Sequence, residues 1–182
     1  ISPPGRVPTF AAGAGVPTFV LSGLSKVLAL PQAKLAWLAV AGPADFKRQA
    51  LERLEVVADT FLSVGGAVQQ ALPELLGARA PIQSDIMVRL QQNLAFLRQD
   101  LQGQPRLRLL PVEGGWYAVL EVEGGCENLA LRLLEECGVL LHPGYFYDFS
   151  PDRHLVLSLL TPPDDWRRGI GALGEWAGTA LG

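Results

Sequence analysis

Two short runs, residues 16–21 (Val-Pro-Thr-Phe-Val-Leu) and 35–40 (Leu-Ala-Trp-Leu-Ala-Val), are apolar on both faces of an extended strand. Such strands need cover on both sides, the usual condition of a parallel-type sheet clad by helices. The first run is followed by Ser22-Gly23 and reads as a buried strand ending in a turn. The second strand starts at Lys34, after Pro31, and is stopped by Gly42-Pro43. Lacking sheet neighbours, the two strands are expected to pair with another copy or to remain exposed, with the residues before about Pro43 poorly ordered or rearranged.

Helical spacing follows. Phe46, Ala50, Leu54, Val57 and Phe61 form one stripe, with Lys47, Arg48, Glu52, Glu55 and Asp59 off it, which predicts a long amphipathic helix from Asp45. A shorter helix over 67–76 ends at Gly77, a favoured C-cap residue. Ser84 caps a third helix, whose Met87, Leu90, Leu94, Leu97 and Leu101 share a face. The period then changes to two. Residues 106–110 and 116–122 read as strands linked through Gly114-Gly115. A helix over 129–137 ends at Gly138, strands follow at 139–142 and 154–159, and a helix over 163–179 closes the chain. Asp164-Asp165 reads as the N-terminal charge of that helix.

The fold class is α/β, with an α+β small domain whose mixed or antiparallel sheet is flanked by helices. Residues 1–43 read as the last strands of a larger domain, 44–80 as linking helices and 81–182 as the small domain.

Composition narrows the function classes. A net charge of −3 over 182 residues leaves no basic field for a nucleic-acid backbone. No run approaches the ~18 apolar residues that span a bilayer, and no charged-then-apolar leader is present. The chain starts at Ile1 instead of Met, so further sequence upstream is expected. Cys126 and Cys137, the two cysteines, bracket a helical stretch that separates them by about 16 Å. A disulfide needs Cα atoms within about 7 Å, so the pair reads as reduced thiols of a cytoplasmic protein.

Chemistry concentrates at Lys26, in Ser22-Gly23-Leu24-Ser25-Lys26. A lysine just past a strand–turn, flanked by small residues, suits a Schiff-base site. Such a site holds an amine at a fixed point with little bulk around it. Desolvation and nearby positive charge favour the neutral amine, the only form that attacks a carbonyl. Lys34, returning on the next strand, supplies a second cation for a phosphate. The alternative for Lys26 is a plain surface lysine, and for Lys34 a strand-edge charge.

This stretch resembles the signature of class I/II aminotransferases of the pyridoxal-phosphate fold type I family. Gly23, Leu24, Ser25 and Lys26 match the Gly/Ser, apolar, small and cofactor-lysine positions. Ala29, Leu30, Leu35 and Ala36 match later ones. Gln32 departs from a small residue or Arg, and Lys34 stands where the family has Arg, giving a point charge in place of a bidentate fork. Gly114-Gly115-Trp116-Tyr117, the segment 138–144 and the segment 157–162 resemble the family's small-domain motifs in order.

The resemblance implies the C-terminal part of an aminotransferase that moves an amino group between an amino acid and a 2-oxo acid. Pyridoxal 5′-phosphate would be bound covalently by Lys26 and anchored by Lys34, Ser22 and Ser25. It also implies a homodimer, and a fragment inactive by itself, since the family's remaining cofactor contacts lie upstream of Ile1. At Val156 the family carries the Arg that clamps the substrate carboxylate. Arg153, three residues earlier in a regular strand, is expected on the opposite face. Two other readings stand beside this one: a non-catalytic, truncated or degenerate module, and a lyase or decarboxylase of the same fold. His142 and Trp116 read as packing residues. Tyr145, Phe146, Tyr147 and Phe149 read either as a substrate mouth or as a loop packed on the small domain.

Overall fold

A computed structural model of the chain describes residues 9–12, 15–61, 63–123, 128–149 and 153–180. They belong to two compact units, one within Gly5–Ser84 and the other within Asp85–Gly182. Cys126 lies outside the described residues. Cys137 is a free, half-buried thiol, which burial and then the neighbouring Glu136 hold above its usual pKa.

In the first unit, strand β1 (Thr18–Gly23) leads into a one-turn helix α1 (Leu24–Val27). A 3-10 turn at Pro31–Ala33 returns the chain into β2 (Ala36–Ala41). The apolar runs pair with each other and do so antiparallel, with Phe19 opposite Val40 and Leu21 opposite Leu38. That corrects the parallel-type pairing read from their composition. Twelve residues separate the strands, and a one-turn helix and a 3-10 turn within them reverse the chain directly into the neighbouring strand. Lys34 is also corrected: it precedes the strand, in a left-handed conformation (φ 50°, ψ 36°).

Helix α2 (Ala44–Thr60) follows, then α3 (Gly66–Gly77), in which Gly77 is the last helical residue and Ala78 the cap. Of the expected α2 stripe only Ala50 is buried, whereas Val57 and Phe61 are exposed. The unit's core is Leu24, Leu28 and Leu35, against which α3 packs Val68, Leu72 and Leu75.

Helix α4 (Arg79–Asp100) starts earlier than the cap expected at Ser84. Pro81 is accepted within the first turn, where a backbone N–H has no intrahelical partner to lose. In the second unit, β3 (Leu107–Leu109), β4 (Tyr117–Val122), β5 (His142–Pro143) and β6 (His154–Ser158) form an antiparallel sheet of order β3-β4-β6-β5. Pairing begins only at His142, not at Val139, so β5 is a two-residue edge strand. Helix α5 (Leu129–Cys137) ends at Gly138 in the left-handed region (φ 68°), and α6 (Pro163–Ala180) closes the chain.

Strand alternation divides the sheet. Ala118, Leu120 and Val122 of β4 and Leu155 and Leu157 of β6 are fully buried on one face. They meet Leu90, Leu94 and Leu97 of α4, Leu133 of α5, and Trp166, Ile170 and Leu173 of α6. The other face carries Tyr117, Val119 and Glu121 opposite Ser158, Val156 and His154. Among the described residues, no helix is long and apolar enough to cross a membrane.

Candidate active site

The lysine turn is held from below. Leu24 and Leu28, four apart on α1, are 0% and 2% exposed, and the N–H of Leu24 donates to the Leu35 carbonyl at 3.0 Å. Between the two leucines Lys26 is turned outward and exposed. Space is tight just before this turn: a Cβ at Gly23 would lie 3.0 Å from the Leu35 carbonyl oxygen and 3.1 Å from the Ala36 Cα. Gln83 adds a support, its Nε2 donating to the Val27 carbonyl at 2.9 Å.

Ser22 pairs with Trp37 in the ladder and is half-buried, as is Ser25 beside Lys26. Lys34 is exposed one residue before Leu35. The Leu24–Leu35 hydrogen bond therefore ties the strand end carrying Ser22, the helical turn carrying Ser25 and Lys26, and the return carrying Lys34 into one reversal. The reversal thus carries two amines, Lys26 and Lys34, and two hydroxyls, Ser22 and Ser25, on a buried leucine footing.

Val156 lies on β6 and faces away from the leucine core, on the side of Tyr117 and Ser158. It is 6% exposed and lines a cavity of about 590 Å³ within the second unit. Arg153 departs from the alternation expected of a regular strand. It lies just before β6, and its Nη2 reaches Glu121 Oε1 at 2.7 Å, on the face that Val156 shares. Arg108 pairs with the other oxygen of the same carboxylate. The Arg108 hydrogen bond holds the Glu121 carboxyl below its usual pKa, against desolvation, with the charges of Arg108, Arg153 and His154 assisting. Arg153 is thereby engaged with a carboxylate of its own chain.

Three features were missed by sequence reasoning. The Arg108–Glu121–Arg153 cluster depends on strand register, for which the alternation of residues 117–122 and 154–158 is the only signal. The cavity draws on residues from 117 to 173, with no local signal. Asn93, 2% exposed on an apolar helix face, donates from Nδ2 to the carbonyls of Leu159 (2.9 Å) and Thr161 (2.8 Å). Its polarity in that stripe was the clue. Of the ring cluster, Tyr145, Phe146 and Tyr147 are exposed and Phe149 is half-buried. Among the described residues no group of acidic, histidine or cysteine side chains is placed to hold a metal.

No curated protein matches the chain. Solved structures share its fold. An alanine aminotransferase from Pyrococcus furiosus superposes with a TM-score of 0.78 at 19% identity, covering 97% of this chain and 46% of its own. An aminotransferase from Escherichia coli gives 0.75 at 19% identity, covering 90% and 43%. A PLP-dependent aminotransferase from Streptococcus suis gives 0.73 at 23% identity, covering 87% and 41%. The chain thus spans less than half the length of these proteins. The family model for aminotransferase class I and II matches residues 5–170, and the chain belongs to that family.

Proposed function

We propose that this chain is the C-terminal part of a pyridoxal-phosphate-dependent aminotransferase that moves an amino group between an amino acid and a 2-oxo acid. The observation that carries the reading is the anchored reversal with Lys26 outward between two buried leucines and Lys34 on its return. Its donor set fits the cofactor: a primary amine for the aldehyde, and a second cation with two hydroxyls for the phosphate. When bound, pyridoxal 5′-phosphate supplies the electron sink for carbanion chemistry at the substrate α-carbon.

The chain's own residues do the rest. Lys26 would be the covalent attachment point, and its amine would carry a proton to and from the substrate α-carbon. Lys34, Ser22 and Ser25 would hold the phosphate, Lys34 through a charge-assisted contact worth about 1.5–3 kcal/mol. Leu24 and Leu28 fix the turn so that the amine returns to one position. Family membership supports a homodimer as the assembled state.

Within these 182 residues the lysines are Lys26, Lys34 and Lys47, and peptide mapping tells them apart. The protein, extended to the length of its structural relatives, is incubated with the cofactor, reduced with borohydride and mapped by mass spectrometry. A pyridoxyl group is expected on Lys26, lost in Lys26→Ala together with turnover. Lys34→Ala keeps the label and raises the cofactor concentration needed for it. A label on Lys34 or Lys47 in the wild type, or equal loss of turnover in both variants at saturating cofactor, refutes the assignment.

A further inference from the structure

We propose that the cavity of the second unit is a binding site for the aryl group of a small carboxylic acid, an aromatic 2-oxo acid or its amino acid. Its size, about 590 Å³, falls within the ~300–1,000 Å³ of small-molecule sites. The floor is apolar, from Trp166, Ile170 and Leu173 of α6, all within 4% of complete burial. Val156 forms one wall, beside Tyr117 and His142. Large apolar surface meeting a few convergent polar groups is the composition that recognises a compact hydrophobic body.

Charge and ring geometry narrow the class. The charged lining residues Asp165 and Arg168 are ion-paired with each other. Their sum is zero (−1 and +1), and no surplus cation remains there for a second carboxylate on a ligand tail. Aromatic rings lie against the lining residues Tyr117 and His142. Tyr147 lies 6.5 Å from Tyr117 and stacks on His142 at 6.0 Å, while Phe146 meets His142 edge-on at 5.9 Å. The Tyr147 hydroxyl is 2.7 Å from His142 Nδ1, which fixes two of these rings. Tyr117, in the lining, is 46% exposed, so its ring surface is open to an incoming ring, which prefers offset or edge-to-face contact. Naming the ligand a substrate rests on the function proposed above. The aryl preference rests on the cavity alone.

The test uses two acids that share the 2-oxo carboxylate head and differ in the tail, phenylpyruvate and 2-oxoglutarate. Each is titrated into the 182-residue chain without cofactor, and amide chemical shifts are followed by NMR. Phenylpyruvate is expected to give saturable shifts at Tyr117, Val156, Thr161 and Gly169, and 2-oxoglutarate none. Val156→Asp, which places an uncompensated charge in the wall, should weaken phenylpyruvate binding on the order of tenfold or more. Tyr117→Ala, at the exposed rim, gives a smaller loss without disturbing the core and so decides the matter if Val156→Asp does not fold. Absence of saturable shifts with phenylpyruvate overturns the proposal, as does equal binding of 2-oxoglutarate or unchanged affinity in Tyr117→Ala. Failure of the Lys26 labelling would instead withdraw only the substrate role, leaving these shifts as they are.

Discussion

Replacing Asn93 by Ala separates a buried polar clamp from ordinary surface contacts. The Asn93 amide donates to the carbonyls of Leu159 and Thr161, where β6 gives way to the turn before α6. Two neutral hydrogen bonds contribute about 1 kcal/mol each. Leu159 is fully buried, so its carbonyl loses its partner out of reach of water, a penalty of about 1–3 kcal/mol. Thr161 is only half-buried, and water can replace its partner. The bond from Trp166 Nε1 to the Asn93 backbone carbonyl (2.9 Å) survives the substitution. The loss is thus on the order of 3 kcal/mol, which at a urea m-value of about 1–3 kcal/mol/M lowers the midpoint by roughly 1–3 M. Arg89→Ala is the comparison. Its Nη1 donates to the Leu160 carbonyl at 3.3 Å from an exposed side chain, so its removal should cost under about 1 kcal/mol. Urea unfolding followed by circular dichroism reads both. Equal midpoints for the two variants would refute the claim that burial, not bond count, sets the cost.

Gly144→Ala brings a Cβ within 2.6 Å of the His154 Cβ and 2.9 Å of its carbonyl oxygen. A destabilisation of about 1–3 kcal/mol is expected in thermal unfolding, because the backbone of β6 must shift to make room. Glu136 accepts hydrogen bonds from Arg132 and Trp176, which hold its carboxyl below the usual pKa, the Arg132 bond most strongly. With the folded pKa depressed, this contribution is present above the unfolded value of about 4.3 and is lost as pH falls through the lower folded value. Glu136→Gln should therefore lower stability at neutral pH and flatten the profile below about pH 4, where the two proteins converge. Leu21 and Phe19, 76% and 48% exposed on the β1–β2 hairpin, should drive concentration-dependent association. Leu21→Lys should shift light scattering toward the smaller species, and identical scattering by both proteins would exclude the hairpin as the contact.

What could be read from the sequence was what neighbouring residues decide. Helix α5 was expected over 129–137 and lies there because its apolar stripe ends at Gly138, whose left-handed backbone stops the helix. The strand–turn around the lysine was equally legible, since Gly23, Leu24 and Leu35 act on one another within one short reversal. Errors arose where a local preference met a tertiary one. Lys34 was assigned to a strand, but the reversal needs that residue left-handed before the ladder can start. Residues 139–142 have strand composition, yet only His142 and Pro143 reach β6.

Strand β6 shows why the fold was easier to read than the pocket. Residues 155–157 form an unbroken apolar run that does not distinguish a strand buried on both faces from one buried on a single face. The distinction lies in register. Leu155 and Leu157 meet the helices, whereas Val156, opposite Val119 and His142, turns to the cavity. A one-residue slip would exchange these roles and place a leucine in the cavity wall and Val156 in the core. The sequence cue nearest to this was at Arg153, where alternation placed the guanidinium on the face away from Val156. Glu121 overrides that geometry by drawing Arg153 to its own side. A buried carboxylate two strand positions from Val156 thus determines where the nearby arginine goes. The same ion pair leaves Val156 among rings and aliphatic side chains, and so sets the polarity of what the cavity can accept.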